Sequence, residues 1–210
     1  MKISVAELEQ CRQDVAGWVR ARLHPTGGGP RPGYAGAVKL AIYKFHKTGN
    51  ETAAKAHLRD LLERFQNDVQ KTAAERDFAA YIRWYRSDQP IVASHRVRLS
   101  YPLGGGILLG GEVSRVDVDV VQGGYRAVLL GTPRANWRSE IRLPLVQLGI
   151  ADRFQRGASE VRVGVQHLDG SSLSLVSFSA AELQAAEQGA HDLARRVAAE
   201  WSRQGGGPLT

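Results

Sequence analysis

"GGEVSRVDVDVVQGGYRAVLLGT", residues 110–132, decides how this chain is read. Val116, Val118 and Val120 alternate with Asp117 and Asp119, the period of a strand with one apolar face. Gly123-Gly124 supplies a turn. "YRAVLLGT" is a short apolar run with the character of a buried strand. The stretch is therefore two strands joined by a tight turn.

Around it, the period changes once. Before Pro90 the chain reads as helices. Ser4 and Glu7 fit a capping box for a helix over 5–23, with Val5, Leu8, Val15, Val19 and Leu23 on one face. "HPTGGGPRPG" (24–33) breaks it as a loop. "YAGAVKLAIYKFHKTG" predicts a second helix and Asn50 or Thr52 caps a third. Thr72 with Glu75 is a possible box before "FAAYIRWYRSD", which ends at Asp88. After Pro90, "IVASHRVRLSYPL" alternates as a strand. Beyond residue 132 come a helix over 143–154, two strands around Asp169-Gly170, and a last helix capped by Ser179 and Glu182. The divisions expected are a helical region over 1–88 belonging to the same fold, an αβ core over 89–204, and a flexible tail over 205–210.

The chain has 210 residues, 43% hydrophobic and 23% charged, which is ordinary globular composition. No apolar run reaches the roughly 18 residues of a membrane span. "MKISVAELEQ" lacks the pattern of a secretory signal. One cysteine, Cys11, excludes an internal disulfide and a Cys-rich metal site. A soluble cytoplasmic protein without a membrane partner is expected. The net charge of +7 suits a polyanionic partner, DNA or RNA being the commonest. A merely solvated basic surface gives the same number.

The order of elements and several motifs resemble the PD-(D/E)XK nuclease superfamily, in its RecB-like branch, which includes CRISPR-associated exonucleases. "ISVAELEQC" is similar to that branch's opening helix, and "GAVKLAIYKF" to its "G-x-x-x-H-x-x-L" helix. "GGEVSRVDV" is similar to "G-x-I-D-R-V-D", "YRAVLLGT" to "Y-x-I-x-D-Y-K-T", and "LPLVQLGIA" to "Q-L-x-x-Y". The resemblance implies an α/β (α+β) fold with a restriction-endonuclease-like core, a mixed sheet of about five strands flanked by helices. It also implies metal-assisted phosphodiester hydrolysis. Two carboxylates would hold Mg²⁺ or Mn²⁺, and the metal would lower the pKa of a bound water.

The chemical groups do not carry over. Lys39 stands at the histidine position, Ser114 at the first acid, Leu129 at the second, Gly131 at the lysine and Ala151 at the helix tyrosine. Gln147 and Arg115 agree with the pattern. The expectation is therefore a protein that is not an enzyme, with no metal and no cofactor. It would bind nucleic acid, DNA as the first choice, or scaffold protein partners within a larger complex, in recombination or in CRISPR-type anti-phage defence. Two alternatives stay open. Displaced acids (Asp117, Asp119 and Glu140 in "E-x-R") could restore a metal nuclease, although Asp117 and Asp119 are expected to face water. The chain could also be a structural subunit that touches protein only.

The expected nucleic-acid contacts are Arg115 and, from "PRANWRSEIR", Arg134, Trp137, Arg138 and Arg142. Tyr81, Trp84 and Tyr85 with Arg83 and Arg86 could stack on bases, but their i, i+3, i+4 spacing favours packing inward. The six histidines show no ligand spacing, and "PTGGGPRPG" lacks the G-K-[ST] ending of a phosphate loop.

Overall fold

The stretch over 92–130 forms its strands, and they make the centre of a six-stranded mixed sheet. The computed structural model describes residues 1–25, 33–131 and 137–208. The strands are β1 (Lys2–Ser4), β2 (Val92–Gly104), β3 (Ile107–Val118), β4 (Tyr125–Leu130), β5 (Val161–Gln166) and β6 (Leu173–Val176). Among the described residues there are seven α-helices: α1 (Leu8–Gln13), α2 (Val15–Leu23), α3 (Tyr34–Thr48), α4 (Glu51–Leu62), α5 (Asp68–Asp88), α6 (Arg142–Arg153) and α7 (Ala180–Arg203). The fold is the mixed α/β class expected, with a sixth strand. No helix among the described residues is long and apolar enough to cross a membrane.

β3 is the hub. It pairs antiparallel with β2 along its length, parallel with β1 over Leu108–Gly110, and antiparallel with β4 only over Arg115–Val118. β4 continues parallel to β5, and β6 closes the far edge antiparallel to β5. The turn between β3 and β4 needs its glycines. Gly123 and Gly124 have φ of +74° and +88°, and a Cβ on Gly124 would lie 2.0 Å from the Glu160 carbonyl oxygen.

The N-terminus differs from the single helix expected over 5–23. Residues 2–4 are extended and join the sheet, where Val5 donates its N–H to the Gly110 carbonyl at 2.8 Å. The helix divides at Asp14, whose carboxylate accepts from the Gly17 N–H at 2.8 Å and caps a new start. A capping side chain in mid-sequence overrides a continuous apolar stripe. The fourth helical region likewise starts earlier than Thr72: Asn67 accepts from the N–H groups of Val69 and Gln70 and opens α5 at Asp68. The Asn50 cap forms, as does the Ser179–Glu182 box. The loop expected over 24–33 lies mostly outside the described residues. Part of the tail is anchored, with the Trp201 indole donating to the Gly207 carbonyl at 2.7 Å.

Two apolar cores result. The larger joins Val97, Leu99, Val113, Val116, Val163 and Val165 of the sheet to Leu143, Val146 and Ile150 of α6 and Leu183, Leu193 and Val197 of α7. The second lies among α3, α4 and α5, with Leu58, Phe78, Tyr81 and Ile82, and takes in Leu130 and Leu168. Tyr81 is fully buried, which bears out the inward packing expected of that aromatic cluster.

A buried cation binds α5 to the sheet. Arg115 is 1% exposed. Its Nε donates to Asp117 Oδ1 at 2.6 Å, one terminal nitrogen to the Tyr81 hydroxyl at 2.8 Å and the other to Gln166 Oε1 at 3.0 Å. The guanidinium also lies 4.9 Å from the centre of the Trp84 ring. Burial pushes the Asp117 carboxyl above its usual range, and Arg115 pulls against that shift. The Tyr81 hydroxyl meets His46 Nε2 at 2.9 Å. Burial, His95 and Arg115 together push His46 down to about 3, so the ring is neutral and can accept from Tyr81.

Removing one partner of such a buried pair leaves the other charge uncompensated. Arg115→Leu is expected to cost about 3–5 kcal/mol, which lowers the melting temperature by roughly 6–20 °C for a chain of this size. Adding Asp117→Leu should recover part of the loss. Thermal and urea unfolding of the single and double variants check this, and a single-variant loss under about 1 kcal/mol would contradict it.

Candidate nucleic-acid interface

Where β3 and β4 part, the protein has a cleft. Their pairing runs no further than Arg115 opposite Val128. Ser114 Oγ then accepts the Leu130 N–H at 3.0 Å and the Tyr43 hydroxyl at 3.1 Å, satisfying a backbone donor that the splayed strands leave unpaired. The opening has a volume of about 400 Å³ and is bounded by α3, the residues after β1, β2, β3, β4 and the start of α6.

Three cationic heads line it: Lys39 from α3, Arg96 from β2 and Arg142 from α6. Arg96 Nε donates to Glu112 Oε2 at 2.8 Å, and its guanidinium lies 4.7 Å from the Tyr43 ring centre. Arg142 Nε donates to Glu140. Among the described residues the terminal nitrogens of both guanidiniums make no hydrogen bond. Lys39 has no hydrogen bond or ion pair there. Burial pushes its ammonium below the ordinary lysine range, Arg142 adds to the shift and Glu112 opposes it. Arg96 has φ of +51°, a left-handed conformation that costs a non-glycine residue roughly 1–2 kcal/mol. Strained backbone of this kind concentrates at ligand sites.

The structure gathers four of the motif positions. Lys39, Ser114 and Leu129 line the cleft together, and Gly131 follows the lining residue Leu130, with a Cβ built on it 3.9 Å from the Lys39 ammonium and its N–H donating to the Gln166 carbonyl at 2.9 Å. Gln147 and Ala151 are elsewhere. Gln147 is fully buried and ties α6 to residue 178, accepting the Phe178 N–H at 3.0 Å and donating to the Ala158 carbonyl at 2.9 Å. Ala151 packs in the larger core.

Two expected contacts are corrected. Arg115 has all its donor groups directed inward and presents nothing to a ligand. Trp137 is 8% exposed and packs into the larger core, so it is no surface anchor. Arg138 is exposed, with its guanidinium 5.6 Å from the Trp137 ring centre. Arg134 lies outside the described residues. Reading from sequence missed Tyr43, Arg96 and Glu112. Tyr43 follows Lys39 by one helical turn and Glu112 precedes Ser114 by two strand positions, so both were within reach of periodicity. Arg96 was not, because only the β2–β3 register places it between the pairs His95–Arg115 and Val97–Val113.

The acids considered as replacements are committed to arginines. Asp117 and Asp119 do not face water: they are 2% and 1% exposed. Asp119 accepts from Arg126 at 2.8 Å and from Arg162 Nε at 2.8 Å. Glu140 holds Arg142. Glu112 is the one carboxylate that lines the cleft, next to Lys39. Divalent metals need several oxygen ligands, and among the described residues no group of three His, Cys, Asp or Glu side chains could hold an ion. The residues present do not fit a divalent metal.

No family model matches the chain, and no curated protein does. A solved structure does. The crystal structure of a protein from Eubacterium rectale, described as a "Putative exonuclease", superposes with a TM-score of 0.54 at 11% identity, covering 97% of this chain and 82% of that one. The fold is nuclease-like. This corrects one expectation: the substituted motif positions led to a protein that is no enzyme, and the likeness of fold over nearly the whole chain to a structure described as a "Putative exonuclease" points the other way.

Asp119 has a structural use that acid exposes. The Arg126 bond chiefly holds its carboxyl below the usual range, with Arg162 adding to the shift and burial opposing it. A folded-state value below the unfolded one, near 4, means stability that is complete above that unfolded value and lost as pH falls through the folded one. Its partners are a quarter exposed, so the loss is at the lower end for buried pairs. Asp119→Asn should cost about 1.5–3 kcal/mol at pH 7 and should unfold with a shallower acid dependence below pH 4 than wild type. Equal slopes in the two proteins would contradict it.

Proposed function

We propose that this nuclease-like protein acts on nucleic acid, and that a single strand enters the cleft between α3 and the parting of β3 and β4. The observation that carries this reading is the convergence of Lys39, Arg96 and Arg142 on one opening where, among the described residues, Glu112 is the single lining carboxylate. Three cations with one carboxylate among them make a site for an anion that repeats along a chain, as phosphates do. The cleft has a volume of about 400 Å³. Cationic grooves with an aromatic wall, here Tyr43 beneath Arg96, suit single strands. Arg138, four residues before Arg142, is the next cation for the strand outside the cleft.

The convergence of Lys39, Ser114, Leu129 and Gly131 supports membership of the PD-(D/E)XK superfamily, since these are the positions that the resemblance brings together. The RecB-like branch, with its settings in recombination or anti-phage defence, belongs to the same proposal.

Each phosphate contact with a single strand contributes about −0.7 to the log–log salt slope. Changing Lys39, Arg96 and Arg142 together to Gln is thus expected to flatten the slope for a labelled single-stranded DNA by about 2. Fluorescence anisotropy measures the slope, with circular dichroism verifying the fold and an end-label gel recording strand length in the same samples. An unchanged slope in a folded variant would place the interface elsewhere.

A further inference from the structure

Gly131 follows the end of β4 without a side chain, and the Lys39 ammonium lies beside it. Among the described residues a Cβ built on Gly131 would meet one atom within 4 Å beyond its chain neighbours: the Lys39 ammonium nitrogen, at 3.9 Å. The ammonium arrives there from α3, across the cleft. Burial and Arg142 both disfavour its charge, Glu112 is the one acid that offsets them, and no hydrogen bond holds it among the described residues. A lysine has three donors to satisfy. A side chain with that stem could extend into water instead, as surface lysines do. That it lies half-buried against the end of β4 means the protein holds a positive charge at one fixed place, with a ligand's anion as the missing partner.

We infer that Lys39 is the phosphate-positioning contact of the cleft, supplying from α3 the ammonium that a lysine at residue 131 would otherwise supply from β4. This rests on the reading of the cleft as a nucleic-acid site and goes beyond it, because it fixes one phosphate at the β4 end, between Lys39 and Arg142. The requirement is positional: the charge must stand at the mouth of β4, and the element that carries it is interchangeable. Gly131 is not in the left-handed region, and among the described residues a Cβ there would meet the Lys39 ammonium alone, so a lysine at 131 starts without backbone strain once Lys39 is shortened.

The test is a lysine exchange. Binding of a labelled single-stranded DNA is measured for wild type, Lys39→Ala, Lys39→Ala/Gly131→Lys, and Lys39→Ala/Val121→Lys. The last restores net charge at a residue 81% exposed on the β3–β4 turn. Lys39→Ala should weaken binding about tenfold, the effect of one charge-assisted hydrogen bond. Gly131→Lys should restore most of it and Val121→Lys should not. Equal rescue by both lysines, or none by Gly131→Lys, or undiminished binding by Lys39→Ala, would overturn the inference. In parallel, wild type is titrated with inorganic phosphate while NMR follows the Lys39 side chain. A Lys39 response to phosphate in a protein that ignores DNA would keep the inference and sink the nucleic-acid reading. No response to either would sink both.

Discussion

The Arg115 guanidinium is the constraint on which the rest of the structure depends. It joins β3, β5 and α5 at one point, through Asp117, Gln166 and Tyr81. Burying a charge so completely is unfavourable unless its hydrogen bonds are met, and here each group of donors has a partner. The geometry that meets them fixes where α5, and with it α3, lies over the sheet. Tyr81 passes the constraint to His46 on α3, whose ring stacks on His95 of β2 with centres 4.0 Å apart. A chain of buried polar contacts thus locks the helical layer to the strands beside the cleft.

Ser114, the neighbouring residue, acts where the sheet comes apart. Arg115 is the last β3 residue paired with β4, and the hydroxyl of Ser114 takes over the next backbone donor. The cleft is the space that follows. Its walls are held by unlike means: Tyr43 by its bond to Ser114, Arg96 by a strained backbone and Glu112, Arg142 by Glu140. Among the described residues Lys39 has no hydrogen bond or ion pair, and Glu112 is the acid that acts on it through space.

Much of the frame was legible in the sequence. The Gly123-Gly124 turn and the Ser179–Glu182 box are local signals, and the elements formed where those signals stood; the alternation over 116–120 marked a strand that ends at Val118, with Val120 exposed and Asp117 and Asp119 buried. β1 was illegible because three residues carry no period; its pairing is set by β3. The break at Asp14 hid within an apolar stripe that both halves share. For the site, motif order brought Lys39, Ser114, Leu129 and Gly131 to one place. The same reading erred where burial decides. Arg115 and Trp137 looked like surface groups because their partners, Tyr81, Gln166 and the larger core, lie far away in sequence. Arg96 depended on strand register, and the meeting of Lys39 with Gly131 on the approach of a helix to a strand end, neither of which a single motif records.

A structure of the protein with a short single-stranded DNA tests the central claim most directly. The account predicts a phosphate in the cleft within hydrogen-bond reach of the Lys39 ammonium and an Arg142 terminal nitrogen, with the strand passing Tyr43 and Arg96. A strand bound on another face, with the cleft holding no phosphate, would contradict it.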